Sequence, residues 1–216
     1  MSSVQRGLNI FKGAFVSVDA QGTAKTLTFQ FNPANLKRSL KPQLVGGEQG
    51  DRSMAVRFKG GPVQTIDAVV EFDASSGLDQ SKLNSIENGV YAQLAALEIM
   101  MAPSCDAVNR IHSQLSAGVM EVAPLAAPMI YFVWGKNRVL PVRFDQYSIT
   151  EELFDGDLNP IQVSVSVSMT VLNYSDLDTS NHAYQQYMVY QQTMESLAEK
   201  AYSSMDKTGV SNSELS

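Results

Sequence analysis

The sequence predicts a mainly β protein, a β-sandwich or partly open antiparallel barrel with an inserted helix and a C-terminal helix. Residues 161–171 give the strongest signal, because apolar side chains alternate with serine, threonine and glutamine throughout the segment. Short stretches rich in glycine, asparagine and proline separate several such runs, which favours antiparallel neighbours. In two segments, 79–101 and 183–205, the apolar spacing changes to three and four residues, which is typical of helices.

The N-terminal region is predicted to form two strands and a long loop. Residues 14–19 and 26–31 alternate in polarity on either side of a turn at Gly22. Pro33 ends the second strand, because proline has no backbone N–H to donate to a sheet. Residues 34–52 mix charged residues with several glycines, so we expect an extended, mobile loop there.

The next segment is predicted to be a β-hairpin. Residues 54–58 and 63–72 have the composition of strands, and the Lys-Gly-Gly-Pro sequence at 59–62 is typical of a turn.

A helical insertion is expected at about 79–118. Asp79 suits the N-cap of its first helix, and Pro103 lies just beyond that helix. The pattern from 106 to 115 predicts a second short amphipathic helix that ends near Gly118.

The C-terminal half returns to strands before a final helix. Residues 129–134 lead into a tight turn at 135–137, and a second turn at 155–160 precedes the strand 161–171. The predicted division of the chain is a β domain at 1–174, a C-terminal helical extension at 175–206 and a flexible tail at 207–216.

Composition excludes several classes of function. The formal net charge of −6 is unfavourable for nucleic-acid binding, which needs a concentrated basic face. Cys105 is the single cysteine, so no internal disulfide is possible. The N-terminus lacks the apolar run of a signal peptide, and no segment is long and apolar enough for a transmembrane helix. We expect a protein assembled in the cytoplasm without direct membrane insertion.

Catalytic motifs are scarce in the sequence. Cys105 and His112 are seven residues apart, which on one helix is about 10.5 Å of rise and too far for a thiolate–imidazole pair. Residues 46–50 are glycine-rich but lack the lysine and following helix of a phosphate-binding loop. Residues 155–159 begin like a calcium loop, but Pro160 stands where that motif requires glycine. We therefore predict no catalytic residue, metal site or cofactor.

Two groups of residues are candidates for contacts between subunits. A small basic cluster in the predicted loop is either solvated or in contact with an acidic neighbouring subunit. Tyrosines of the C-terminal helix supply amphipathic area, either for packing on their own domain or for a subunit interface. The candidate interface residues are Lys37, Arg38, Lys41, Tyr184, Tyr187 and Tyr190.

Several motifs occur in an order that resembles a known family. The sequence FQFNP at 29–33 is followed much later by PMIYFVWG at 128–135. VRFDQYSI at 142–149, EELFDG at 151–156 and NPIQVSV at 159–165 complete the set. Together they resemble the tube-protein domain of contractile injection systems, found in the inner baseplate of extracellular injection particles and in related phage tails.

The resemblance implies a phage tail-tube-like β domain in a structural ring, mostly six-fold, between the spike or hub and the inner tube. The implied partners are further copies of the chain and the neighbouring spike, tube and baseplate proteins. Family members often carry a LysM module after this domain, whereas this sequence continues with one helix and a short tail. The resemblance also implies a polar sheet face that lines a lumen, although any solvated strand has such a face. The candidate lumen-facing residues are Ser164, Ser166, Ser168 and Thr170.

Two other classes of function stay open at this stage. A ligand- or carbohydrate-binding β-sandwich would use Trp134 and the tyrosines as a stacking platform. An enzyme would need a nucleophile and a base that only the fold brings together.

Overall fold

One antiparallel β-sheet organises the molecule, a computed structural model in which α-helices lie between and after the strands. The structure describes residues 11–19, 21–45, 57–75, 89–118, 125 and 127–202. The strands are β1 (Ala14–Val18), β2 (Ala24–Thr28), β3 (Leu36–Val45), β4 (Arg57–Asp73), β5 (Met129–Val133), β6 (Val139–Phe154) and β7 (Pro160–Val171), and the helices are α1 (Tyr91–Ile99), α2 (Cys105–Ser116) and α3 (His182–Glu199).

The strands are arranged in the order β2-β1-β5-β6-β7-β4-β3, and every neighbouring pair is antiparallel. The mainly β class with an inserted helix and a C-terminal helix is therefore confirmed. Among the described strands the sheet is not closed, because β2 and β3 lie at its two edges.

Strand β7 has the two faces that its sequence predicts. Its valines and Met169 are buried, while the serines and Thr170 between them lie on the opposite face. β7 pairs with β6 on one side and β4 on the other, so its apolar face lies in the middle of the core.

The core lies on one face of the sheet, where α1 and α3 add their apolar sides. Leu94 and Leu97 of α1 are buried, as are Tyr187 and Tyr190 of α3. These side chains join the strand residues in one hydrophobic cluster. The predicted C-terminal extension thus packs on the β domain, because its buried stripe completes the core.

Residues 36–45 form the edge strand β3, so the predicted loop is wrong over this part of 34–52. Within the described sheet β3 pairs only with β4, and most of its side chains are exposed. An exposed edge strand needs no apolar alternation, and Pro42 is tolerated where the pairing register shifts. Residues 46–52 lie outside the described residues.

The predicted hairpin around residues 59–62 is also wrong, because 57–73 form one continuous strand. Gly60 and Gly61 do not form a turn; they lie where the segment after β7 packs closely against β4. A Cβ atom at Gly60 would lie 2.7 Å from Oγ of Ser175, and one at Gly61 would lie 2.9 Å from Cγ of Asn173. A side chain at either position would therefore displace the side chains of the segment that follows β7.

The helical insertion contains two helices, as predicted. α1 covers the C-terminal part of the predicted 79–101 helix, and residues 79–88 lie outside the described residues. α2 begins at Cys105, where the N-cap Ser104 accepts a hydrogen bond from the Ala107 amide. The tail predicted at 207–216 also lies outside the described residues.

Candidate functional site

The face of the sheet opposite the core is its most extensive polar surface among the described strands. We name it the polar face, and it contains the outward side chains of β4, β6 and β7. The register aligns Ser166 with Ser148 and Val69, and Ser164 with Thr150 and Glu71. The four candidate lumen residues Ser164, Ser166, Ser168 and Thr170 all lie on this face.

Carboxylates of the neighbouring strands bond the hydroxyl row of β7. Ser168 Oγ donates to Asp67 Oδ1 at 2.7 Å, and Thr170 Oγ1 donates to Asp145 Oδ2. Asp145 also forms an ion pair with Arg143, with N and O 3.2 Å apart. The polar face is therefore uncharged along β7 but charged on both sides of it, which the sequence of β7 alone does not show.

The structure divides the predicted basic cluster between the two faces of β3. Lys37 and Lys41 are exposed and lie opposite Asp67 and Val63, on the side of the polar face. Arg38 points the other way and is half-buried beside α3. Side chains alternate along a strand, so adjacent residues of the cluster cannot act on one surface.

The tyrosines of α3 take different positions. Tyr187 and Tyr190 are buried, with ring centroids 6.2 Å apart, and Tyr174 lies 6.2 Å from Tyr187. Burial raises the pKa of Tyr187, and the neighbouring Tyr190 raises it further. Tyr187 and Tyr190 thus pack on their own domain, while Tyr184 is half-buried. A contact of these residues with another subunit stays a prediction.

The hydroxyl of Tyr190 binds one arginine, Arg38, and the charge of a second, Arg138, is influenced by both. Nη2 of Arg38 donates to this hydroxyl at 3.1 Å. With the amide of buried Gln64 oriented so that its oxygen faces the guanidinium, Nε and Nη2 of Arg38 also donate to Gln64 Oε1 at 3.1 Å. Burial lowers the pKa of Arg138, and so does the positive charge of Arg38. We name Arg38, Arg138 and Tyr190 the arginine cluster, which only the tertiary structure brings together.

The turn before β7 uses its aspartate to bind backbone. Asp155 Oδ1 accepts hydrogen bonds from the amides of Asp157 and Asn159, at 2.9 and 2.8 Å. Oδ2 accepts from the Asn159 side chain at 2.9 Å. This carboxylate closes the turn, in agreement with the turn prediction. Among the described residues, no cluster of three or more His, Cys, Asp or Glu side chains is arranged to hold a metal ion.

The remaining candidates lie apart from these surfaces. Cys105 and His112 both belong to α2 and are exposed, seven positions apart on the same helix. Trp134 is half-buried and stacks on Phe132, with ring centroids 5.9 Å apart and an interplanar angle of 16°. Gly13 lies close against the Trp134 ring. Trp134 therefore belongs to the edge of the core, which is unfavourable for the proposed stacking platform.

None of the helices in the described ranges has both the length and the apolarity that crossing a membrane requires.

Comparison with known proteins gives little further information. No protein-family model matches the chain, and no curated protein matches it. A chain from the tail of an empty gene transfer agent (GTA) particle, computed with helical refinement and C6 symmetry, aligns with TM-score 0.29 and 9% identity, covering 74% of this chain and 90% of that one. A chain from the virion of a native GTA particle aligns with TM-score 0.28 and 10% identity over the same shares. TM-scores this low do not establish a shared fold.

Proposed function

We propose that the chain is a structural, ring-forming subunit of a phage-tail-like or contractile injection machine. In this proposal the ring lies in the inner baseplate or tube-initiation region and links the spike or hub to the inner tube. The order of sequence motifs described above supports the assignment and implies six-fold symmetry. The protein acts by assembly, not by a chemical reaction.

The observation that carries the proposal is the open sheet with one exposed polar face. In the described sheet, β2 and β3 each pair on one side only, so backbone donors and acceptors at both edges are available to a further strand. Copies that associate edge to edge in one rotational direction form a ring where the rotation between neighbours closes, and an open filament where it does not. The helices α1 and α3 pack on the core face, so neither of them covers the polar face, which we propose lines the inside of that ring.

The hydroxyl row of β7 suits a lumen surface. Ser164, Ser166, Ser168 and Thr170 are polar but uncharged, so β7 itself offers no charged group to a passing molecule. The carboxylates at Asp67 and Glu71 add negative charge beside the row. We propose that residues 1–174 form the ring body and that 175–206 extends it.

The first experiment measures assembly. Light scattering and negative-stain electron microscopy of the purified protein, alone and with tube or spike proteins, should show rings of about six subunits if the resemblance holds. A chain that remains monomeric at high concentration and binds neither tube nor spike protein contradicts the proposal.

The second experiment tests the orientation of the polar face within a ring. The test variant combines Cys105→Ser with Ser166→Cys, so that its thiol lies on the hydroxyl row. The natural chain, whose thiol is the exposed Cys105 of α2, is the matched control. In assembled rings we expect a bulky maleimide-polymer to label the Ser166→Cys thiol more slowly than a small maleimide. Equal labelling by both reagents at that position would place the row outside the lumen.

A further inference from the structure

The arginine cluster holds more hydrogen-bond donors than the described residues have acceptors for. Arg38 uses Nε and Nη2 on Gln64 and Tyr190, which leaves Nη1 without a partner among the described residues. A guanidinium has five N–H donors and no acceptor. The hydroxyl of Tyr190 accepts from Arg38, and its own proton has no acceptor among the same residues.

Arg138 increases this excess of donors. It follows the turn after β5 and directly precedes β6, and it is half-buried. In the described part of the chain, Arg143 forms an ion pair with Asp145. Neither Arg138 nor Arg38 forms an ion pair with a carboxylate there. Two positive charges are thus held near each other with partial loss of water, an arrangement that an anion stabilises.

We propose that Arg38, Arg138 and the Tyr190 hydroxyl form a binding site for a carboxylate supplied by a second copy of this chain. A guanidinium fork fits the two oxygens of a carboxylate, and the tyrosine hydroxyl adds a third donor. The inference rests on the proposed self-assembly and adds an end-to-end contact, between copies in successive rings, to the edge-to-edge pairing within a ring.

The far end of the same sheet supplies a matching group. The tip of the β6–β7 hairpin, residues 151–158, exposes the carboxylates of Glu151 and Glu152 beside exposed Leu153, Phe154 and Leu158. β6 contains 16 residues, so the tip lies roughly 50 Å along the strand from Arg138. Because the acidic tip and the arginine cluster lie at opposite ends, they meet in a head-to-tail contact between copies.

Strain at the tip is consistent with a contact surface. Leu153 and Leu158 have φ angles of +55° and +64°, which are unfavourable for side chains other than glycine. Leu158 is 74% exposed, so its own domain does not bury the side chain in return. A neighbouring copy that covers these leucines would bury apolar area next to the proposed contact between the arginine cluster and the glutamates of the tip.

The test compares self-association of Arg138→Gln with that of the natural chain. Glutamine keeps hydrogen-bonding ability and removes the charge, and we expect association at least about tenfold weaker. Arg143→Gln is the matched control, because Arg143 is an exposed arginine of the same strand on the polar face. Unfolding curves verify that both variants are folded. Association of Arg138→Gln equal to that of the natural chain overturns the inference.

A double-mutant cycle identifies the source of the carboxylate. The variant Glu151→Gln with Glu152→Gln should weaken association as much as Arg138→Gln does, and combining all three changes should add little. Additive losses, or no loss from the glutamate changes, overturn the assignment to the hairpin tip. Acetate and inorganic phosphate are titrated separately; if they occupy the cluster without weakening association, it is only a free-anion site and the inference fails.

The outcomes also separate this inference from the ring proposal. Arg138→Gln rings that associate end to end as strongly as rings of the natural chain leave the proposed function intact and contradict the carboxylate site. Association that depends on Arg138 but yields open filaments or dimers supports the site and contradicts the ring. A natural chain that never self-associates contradicts both.

Discussion

Nη2 of Arg38 lies 3.1 Å from the hydroxyl oxygen of Tyr190, and this hydrogen bond connects residues 152 positions apart in the chain. Arg38 belongs to the edge strand β3, whereas Tyr190 belongs to the C-terminal helix α3. The bond therefore fastens α3 to the edge of the sheet, and it does so at the arginine cluster.

Removing the Tyr190 hydroxyl should destabilise the fold measurably. Tyr190 is 7% exposed, and the Tyr190→Phe variant removes one of the two acceptors of the half-buried Arg38 Nη2. We expect a loss of about 1–2 kcal/mol in the free energy of unfolding, measured by urea denaturation. Tyr184→Phe, at a half-buried tyrosine of the same helix, should change stability by less than about 0.5 kcal/mol. Equal effects of the two variants would show that the Arg38 bond contributes nothing.

Gly89 is predicted to tolerate no side chain. Its φ is +54°, and a Cβ atom there would lie 2.3 Å from the carbonyl oxygen of Pro160. That backbone oxygen also accepts a hydrogen bond from the Val90 amide at 3.0 Å, so it cannot move away cheaply. Gly118 has φ +84° and open space around it. Gly89→Ala should therefore cost about 1–3 kcal/mol more than Gly118→Ala, measured by thermal unfolding. Similar melting temperatures for the two variants would contradict this reading of the contact.

Charge at the edge strand should matter at Lys37 but not at Lys41. Lys37 lies directly opposite Asp67, while Lys41 lies opposite Val63. Lys37→Glu places two carboxylates across from each other and should destabilise the protein by about 0.5–1 kcal/mol at low salt. Lys41→Glu is the control, and added salt should reduce the difference between the two. A difference that does not respond to salt would have a cause other than charge.

The turn at Asp155 predicts a dependence of stability on acid pH. Hydrogen bonds from Asn159, first from its side chain and then from its backbone, lower the pKa of Asp155 below 3.8. A carboxyl with a lowered pKa in the folded state stabilises the protein above its unfolded pKa, and this contribution is lost as pH falls through the folded pKa. The difference in unfolding free energy between the natural chain and Asp155→Asn should therefore shrink below about pH 4. Asp157→Asn is the control, because the Asp157 carboxylate takes no part in those bonds. A difference that is constant with pH would contradict the role of the charge.

Part of the candidate site follows from local pattern. The hydroxyl row of β7 and the turn at Asp155 each depend on residues close together in the sequence, and the structure has both. The division of Lys37 from Arg38 follows from strand alternation, but only once 36–45 is known to be a strand. The polar composition of this exposed edge hides that fact, because no buried face imposes a period of two on it.

Residue pattern alone specifies the mainly β class, the strand β7 with its dry and polar faces, the helices α2 and α3, and the turns at Gly22, 135–137 and 155–160, because each depends on residues that are neighbours in the chain. Tertiary packing alone leaves the described sheet open, runs residues 57–73 straight through a Gly-Gly-Pro sequence, and brings Arg38 of β3 to Tyr190 of α3. These features arise from packing between segments far apart in the sequence. Asn173 and Ser175 pack against Gly61 and Gly60, and helix α3 contacts the edge strand β3. Local periodicity carries no information about such contacts, since it records which side of a segment is buried but not what covers it.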